Sequence, residues 1–234
     1  MTSPGSGLPH SASDLPGFWF QQSFAIRLGL TVVALAVWFW TQSLIGARGA
    51  PASAIADSIH AATASTNLYL HAHSGAANAL LVVSSAFIDL IGVVLLSTWI
   101  FRGDPRPFVG LVIVLGLRQI MQACVALPAP PGSIWHSPGF PSLLVTYNVA
   151  NDYFFSGHTA IAVLGAAEGA RYGKRWLIAV GVGIVLFEVA TVLVLRAHYT
   201  MDVFTGAITG LYAAYLAERF FTPKHTTSHA GTPS

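Results

Sequence analysis

Long apolar stretches dominate this sequence and constrain its fold more than any other feature. Mostly apolar runs cover residues 24–45, 76–101, 108–127, 176–195 and about 201–221, and a shorter run covers about 159–170. A helix that crosses a bilayer needs roughly 20 such residues. Only 9% of the residues are charged, whereas soluble proteins average about 25%. Because so few charges cannot cover the surface of a soluble globule, the sequence predicts an all-α, polytopic membrane protein with a bundle of six transmembrane helices.

The remaining segments predict one domain with two tails. We expect residues 24–221 to form a single six-helix transmembrane domain, with flexible tails at 1–23 and 222–234. Between the first two runs, Ile55, Ile59 and several alanines recur at helical spacing, which predicts a short interfacial helix. Five prolines between Pro128 and Pro141 predict a draped loop there and exclude a helix.

The basic residues predict the orientation in the membrane. Cytoplasmic loops carry an excess of Lys and Arg. One set of loops and ends holds most of them, and the opposite set holds only Arg48 and Arg196. We therefore expect both termini in the cytoplasm, on the side of Arg102, Arg106, Arg171, Lys174, Arg175, Arg219 and Lys224.

Two short polar segments stand where apolar helices begin. They are residues 151–159, NDYFFSGHT, and residues 196–202, RAHYTMD. The predicted topology brings both to the extracytoplasmic face. His198 and Asp202 are four residues apart and share a helix face. Asp202 is then expected to hold one ring nitrogen of His198 and leave the other free to attack, as covalent catalysis requires.

Pairs of glycines predict close packing between the fourth and sixth helices. Gly165 and Gly169 form one GxxxG pair, and Gly206 and Gly210 form another. Small residues at this spacing let membrane helices approach closely. Because both helices run in the same direction, packing of the two pairs on each other predicts that His158 and His198 lie at a similar height.

Arg118 is a charge inside the third predicted span. A charge in such a place is costly and is a functional-site candidate by default. The expected partner is an anion such as a phosphate. A structural ion pair with Asp89, Glu168 or Glu188 is the competing interpretation.

At these residues the chain resembles the sphingomyelin synthases and the plant phosphatidylcholine:diacylglycerol cholinephosphotransferases. The stretches FSGHT at 155–159 and HYTMDV at 198–203 look like the two signature motifs of these enzymes. Asp152 matches the acidic residue of the first motif, and Arg118 followed by LPAP at 127–130 resembles an upstream stretch. The resemblance covers roughly residues 76–219, and both groups belong to the type-2 phosphatidic acid phosphatase superfamily. Phe155 stands where that superfamily usually has a proline, which favours the transferase branch.

The resemblance implies a membrane lipid phosphotransferase with three catalytic residues, His158, His198 and Asp202. His198 would attack the phosphorus of a phospholipid headgroup, with phosphocholine as one candidate, and His158 would protonate the departing alcohol. A lipid alcohol, ceramide or diacylglycerol, would then take the headgroup from a phosphohistidine intermediate. No metal and no cofactor is expected. Phosphate-binding roles fall to Arg118, Ser156, Gly157 and Arg196, and supporting roles fall to Asp152 and Tyr199.

Other interpretations stay open at this point. The same residues with water as acceptor would make a lipid phosphate phosphatase, and the buried Arg and His would also line a small-solute transporter. A net charge of +2 excludes a nucleic-acid partner, whereas a homo-oligomer is neither favoured nor excluded. Tyr153 is expected to be an interfacial aromatic residue, and a purely structural role is expected for His60, His71, His73 and His136.

Overall fold

The computed structural model describes residues 22–47, 55–147 and 153–221. These residues form eight helices and the segments that join them. Nearly all of the two predicted tails, at 1–21 and 222–234, lies outside the described residues, as does Asp152. The helices are α1 (Phe24–Gly46), α2 (Ser58–Ala62), α3 (Ala64–Ala72), α4 (Ser74–Arg102), α5 (Pro105–Cys124), α6 (Gly157–Ala170), α7 (Arg175–Val194) and α8 (Thr200–Phe221).

Every predicted apolar run forms a helix within three residues of its expected bounds. The all-α class is therefore confirmed for the described part of the chain. Four helices, α1, α4, α5 and α7, are long and apolar enough to cross a membrane. This supports a membrane protein. The six-span arrangement stays a prediction, because α6 has only 14 residues and α8 is not among these four.

Capping residues explain where two of the helices begin. Gly103, at a φ of 73°, ends α4 in a left-handed conformation that glycine adopts without strain. The side chain of Asp104 then accepts a hydrogen bond from the backbone N–H of Arg106 at 3.1 Å, with Pro105 at the first helical position. This cap starts α5 three residues before the apolar run alone predicts. Ser156 has the same role for α6, which begins at Gly157.

Helix α6 occupies the centre of the bundle. Its first eight residues, 157–164, are all buried, and it packs against α4, α5, α7 and α8. A helix enclosed in this way exposes few backbone or side-chain groups to lipid, whatever its length. The position of α6 also places the first polar motif in the middle of the protein.

The two glycine pairs pack differently from the prediction. A side chain at Gly206 would lie 2.5 Å from the carbonyl oxygen of Ser156, and one at Gly210 would lie 2.5 Å from that of Ala160. The α8 pair therefore contacts α6 as expected. The α6 pair does not face it: Gly165 packs against Ile91 of α4, and Gly169 faces open space. The expectation that both pairs pack on each other is wrong, although one pair alone brings the two helices together.

The segments outside the long helices cover one end of the bundle. The interfacial helix expected between the first two spans forms as two pieces, α2 and α3, which meet at Thr63. The proline-rich segment is a draped loop, as predicted. The backbone N–H of Ile134 donates to the carbonyl of Leu195 at 2.9 Å, and Asp89 of α4 accepts hydrogen bonds from the backbone N–H groups of Leu143 and Leu144.

We expect Gly210→Ala to destabilise the protein. The added methyl group would lie 2.5 Å from a backbone oxygen of α6, which cannot move without separating the helices. Overpacking of this kind costs about 1–3 kcal/mol. Thermal unfolding of the full-length protein in detergent measures the effect. Gly116→Ala is the matched control, because nothing lies within 4 Å of a side chain at that position. Equal midpoints for the two variants would contradict the prediction.

Candidate active site

The two polar motifs are joined by their backbones at one end of the bundle. The backbone N–H of Ser156, just before α6, donates to the carbonyl of Asp202, in the first turn of α8, at 3.1 Å. Gly206 lets the two chains approach to this distance. Since His158 follows Ser156 by two residues and His198 precedes Asp202 by four, this contact fixes the distance between the histidines.

Next to this contact lies a narrow cleft. Four of the residues singled out in the sequence line it: Arg118, Gly157, His158 and His198. The structure thus brings two imidazoles and a guanidinium to one cleft, and the catalytic roles of these residues stay predictions. The remaining lining residues are Trp38, Ile88, Leu115, Trp135, Leu144, Thr146, Tyr153, Ile161 and Ala197.

The imidazole of His198 is held by a main-chain carbonyl. Its Nδ1 lies 2.7 Å from the carbonyl oxygen of Tyr153, and 3.8 Å from Oδ2 of Asp202. The direct hydrogen bond expected between His198 and Asp202 is thus replaced by one to Tyr153, since 3.8 Å is too long for a hydrogen bond. Because a carbonyl oxygen only accepts, Nδ1 carries the proton. The lone pair of neutral His198 is then on Nε2.

Asp202 is completely buried and supports the same turn. Its Oδ2 accepts a hydrogen bond from the backbone N–H of Tyr199 at 2.9 Å. Its Oδ1 is buried without a hydrogen-bond partner among the described residues. The carboxylate therefore acts on His198 through space, and a positive charge on that imidazole would be stabilised by it.

His158 lies on the opposite side of the cleft. Its ring meets Trp135 edge to face, at 5.0 Å between centroids. Its Nε2 is buried and has no hydrogen-bond partner within the described part of the chain. An unpartnered buried nitrogen is costly, so the arrangement is best satisfied when a ligand oxygen or a water molecule occupies the cleft.

Arg118 reaches the cleft because residue 157 is a glycine. Its Nε donates to the carbonyl of Phe155 at 3.2 Å. A side chain at Gly157 would lie 2.9 Å from the same Nε. The absence of a side chain at Gly157 therefore lets the guanidinium lie against the start of α6, next to His158.

The three carboxylates that competed for Arg118 take other partners. Asp89 holds the proline-rich loop. Glu168 pairs with Arg171 at 3.1 Å, and Glu188 accepts a hydrogen bond from the hydroxyl of Ser84 at 2.6 Å. Each of these acids thus has a structural role of its own.

Like Asp202, three further predicted site residues do not line the cleft. The hydroxyl of Ser156 accepts hydrogen bonds from the N–H and the hydroxyl of Thr159, and so caps α6. Arg196, at a φ of 56°, turns its guanidinium toward the carbonyl of His60. Tyr199 is buried, and its hydroxyl accepts a hydrogen bond from the backbone N–H of Ile55 at 3.4 Å. The three side chains position the motifs.

Residues 55–72, called the strap below, hold the second motif. Sequence reasoning predicted a helix in this segment but missed that role. Asp57 accepts hydrogen bonds from the N–H groups of Ile59 and His60 and also from the N–H and hydroxyl of Thr200, so it caps both α2 and α8. Burial raises the pKa of Asp57, but the hydrogen bonds from Thr200 outweigh burial and hold that pKa below its usual value. An Asp directly before a predicted helix was the available signal. No signal in the sequence indicated that Asp57 also caps a second helix, α8.

His60 connects the strap to His198. Its Nε2 donates to the carbonyl oxygen of His198 at 2.9 Å, and its ring stacks on Tyr199. Burial lowers the pKa of His60, although Asp57 acts in the opposite direction. Asn67 adds bonds from its side-chain amide to the carbonyls of Gly132 and Val194. The turn that carries His198 is therefore held from the strap side as well as by α8.

Comparisons with known proteins give matches that include the candidate site. The model of a family described as AtPDCT1/2 matches residues 56–219, and so includes the strap and both motifs. Phosphatidylcholine:diacylglycerol cholinephosphotransferase 1 of Arabidopsis thaliana is 24% identical over 181 residues, which is 77% of this chain and 58% of the relative. Phosphatidylcholine:diacylglycerol cholinephosphotransferase 2 of the same plant is 25% identical over 123 residues, 53% of this chain and 40% of the relative. The aligned part of the chain thus spans less than two thirds of either relative. No solved structure gives a significant match.

We expect the free energy of unfolding of the protein to decrease as the pH drops below about 6.5. Protonation of His60 should contribute to this decrease. Because burial lowers the pKa of folded His60 from 6.5, the unfolded chain binds more protons in this range, and stability decreases as the pH drops. His60→Gln keeps a donor for the His198 carbonyl but does not titrate. Thermal unfolding between about pH 7.5 and 5.5 should therefore show a shallower decline for the variant, by at most about 1.4 kcal/mol per pH unit. Identical pH slopes would refute this role.

Proposed function

The chain belongs to the AtPDCT1/2 family, and we propose that it transfers phosphocholine from phosphatidylcholine to diacylglycerol. The observation that carries this proposal is that His158, His198 and Arg118 line one cleft. A nucleophile, a proton carrier and a fixed cation are what phosphoryl transfer without a metal requires. The names of the two Arabidopsis relatives support the choice of substrates.

The walls of the cleft suit a choline headgroup attached to a lipid. Quaternary ammonium groups are attracted to aromatic faces, and Trp38, Trp135 and Tyr153 line the cleft. An almost entirely apolar groove between α1 and α5 shares Trp38 and Leu115 with it. In this proposal the phosphate lies beside Arg118, and hydrocarbon extends along the groove.

The first half of the reaction cleaves the donor lipid. Nε2 of His198 attacks the phosphorus, and the bond between phosphorus and the diacylglycerol oxygen breaks. Protonated His158 gives its proton to that oxygen, so diacylglycerol leaves as a neutral alcohol. Arg118 balances the charge on the phosphoryl oxygens, and Asp202, 3.8 Å from Nδ1, stabilises the positive charge that develops on the His198 ring.

The second half runs the same steps in reverse with a new alcohol. His158, now neutral, takes the proton from the hydroxyl of a second diacylglycerol molecule. The hydroxyl oxygen attacks phosphorus, the bond between phosphorus and Nε2 breaks, and a new phosphatidylcholine leaves. Water in place of the alcohol would release free phosphocholine. The lipid phosphate phosphatase alternative also uses water as the acceptor, but its donor is a lipid phosphate monoester and its product is inorganic phosphate.

The finer architecture is part of this proposal. We place the protein in the type-2 phosphatidic acid phosphatase superfamily, with α6 and α8 as additional spans. The enclosure of α6 by its neighbours supports this, and the 22 residues of α8 extend about 33 Å at 1.5 Å per residue. The basic residues at the end opposite the cleft, Arg102, Arg106, Arg171, Lys174, Arg175 and Arg219, support an extracytoplasmic active site.

The reaction is tested with purified full-length protein and two distinguishable lipids. Phosphatidylcholine with a labelled headgroup is mixed with unlabelled diacylglycerol of different acyl chains. Transfer predicts labelled phosphatidylcholine carrying the acceptor's chains. Free phosphocholine as the main product would show that water and not a lipid alcohol is the acceptor, and release of inorganic phosphate from added phosphatidic acid would favour the phosphatase. Ceramide as an alternative acceptor tests the specificity of the sphingomyelin synthases.

His198→Ala should abolish this transfer, and His158→Ala should reduce it by about 10²–10⁴-fold, as loss of a general acid and base does. His73→Ala is the matched control, because His73 is exposed and its Nδ1 donates to the carbonyl of Tyr69 in its own helix turn. Undiminished transfer by a folded His198→Ala protein would remove the proposed mechanism.

Asp202→Asn should be milder than either histidine variant. The tautomer of His198 is set by Tyr153, so the carboxylate contributes only its charge at 3.8 Å. An interaction at this distance is worth between about 1 and 4 kcal/mol, depending on the local dielectric, which predicts a loss of roughly 10- to 1000-fold in kcat. Complete inactivity of a stable Asp202→Asn protein would show that Asp202 orients the ring directly.

A further inference from the structure

A large cavity extends to the end of α6 that is far from the histidines. It has a volume of about 570 Å³. His158 and Gly169 are eleven residues apart on α6, so about 16 Å of helix lies between the histidine and the far end of this cavity, and no residue lines both the cavity and the cleft. The cavity is therefore distinct from the catalytic cleft.

Small residues form the floor of this cavity. Ala162, Gly165, Ala166 and Gly169 of α6 line it, together with Gly181 of α7. Gly181 lets α7 approach α6 closely, with a side chain there only 3.0 Å from Ala166, whereas nothing lies within 4 Å of a side chain at Gly169. Helices α6 and α7 are thus in contact near Ala166 and leave a gap near Gly169.

The walls of the cavity are apolar and continue onto the outer surface of the bundle. Leu90 and Val94 of α4 and Val180 of α7 line it and are each at least half exposed. These residues lie on two of the helices that are apolar enough to cross a membrane. A hydrocarbon chain from the bilayer has direct access to a cavity with such walls.

The mouth of the cavity is charged. Arg106 pairs with Asp104 at 2.6 Å, and Arg171 pairs with Glu168 and Glu218. Arg102 differs from both: its guanidinium donates to the hydroxyl of Tyr172 at 3.0 Å and lies 5.7 Å from the ring centroid. Both of these contacts are with a neutral side chain, and among the described residues no ion pair balances the charge of Arg102. An apolar cavity with one unbalanced guanidinium at its mouth is complementary to a lipid with an anionic headgroup.

We propose that this cavity, opposite the catalytic cleft, binds an anionic phospholipid, with one acyl chain between α4, α6 and α7 and the phosphate on Arg102. The ligand is a resident lipid of that leaflet and not a reactant, because the histidines lie at the other end of α6. The site does not depend on the proposed transferase activity.

Binding is measured by native mass spectrometry of the full-length protein in detergent with added phosphatidylglycerol, which lacks choline. We expect the wild-type protein to retain one phosphatidylglycerol molecule that Gly169→Leu loses, because the leucine fills the cavity without a clash. Gly116→Leu is the matched control, since its position is equally open and lies outside the cavity. Retention by Gly169→Leu equal to that of Gly116→Leu would overturn the proposal.

A second pair of variants tests the headgroup contact. Arg102→Gln should weaken phosphatidylglycerol binding by about 5-fold, the effect of one basic residue near an anionic lipid. Arg219→Gln is its control, because Arg219 also donates to a tyrosine hydroxyl, that of Tyr215 at 3.2 Å. Equal binding by the two variants would refute the role of Arg102. His198→Ala should retain the lipid like the wild type, so a failure of the transferase proposal leaves this result unaffected.

Discussion

The arrangement of this site depends on one main-chain contact, the hydrogen bond from Ser156 to the carbonyl of Asp202. It joins the first residues of two helices, and it forms only because Gly206 has no side chain between them. His158 follows this contact and His198 precedes it, so the contact brings the backbones of the two histidines to the same end of the bundle. A backbone contact of this kind has little freedom to adjust, and sites built on helix ends gain precision from it.

Polar groups in this mostly apolar protein fall into two classes. Most are satisfied inside the fold: Asp89 holds a loop, Glu168 has a salt bridge, and Asp57 caps two helices. The other class consists of buried atoms without hydrogen-bond partners among the described residues, such as Nε2 of His158, Oδ1 of Asp202 and Oε1 of Glu188. Leaving such atoms unsatisfied costs free energy. Of these three residues only His158 lines the cleft, where a ligand oxygen would satisfy its Nε2.

The sequence predicts those parts of the molecule that a side-chain pattern encodes. Apolar runs locate the six long helices, and the two histidine motifs locate the cleft with Arg118. The hydrogen bond between the carbonyl of Tyr153 and His198 could not be predicted from the sequence, because every residue has a carbonyl and only the fold selects this one. The GxxxG spacing identified helix faces made of small residues but not the helices that pack on them. Gly165 was therefore expected to contact α8, whereas it contacts Ile91 of α4. The contacts between the strap and the second motif could not be predicted for a similar reason, because His60 and Asp57 bind residues more than 130 positions away in the sequence.

Tyr153 accepts the hydrogen bond from Nδ1 of His198, whereas Asp202 supplies a nearby negative charge, and this separation has a chemical consequence for the proposed mechanism. A carbonyl fixes the proton on Nδ1 without adding charge, so neutral His198 keeps its lone pair on Nε2 for attack. Once phosphorus is bound, the ring becomes cationic, and the carboxylate 3.8 Å away stabilises the cation more than it stabilised the neutral ring. Stabilisation of this kind lowers the barrier because it is larger in the transition state than in the ground state. A direct carboxylate hydrogen bond would combine both effects in one contact, whereas here the tautomer and the charge are controlled by separate groups that different substitutions perturb.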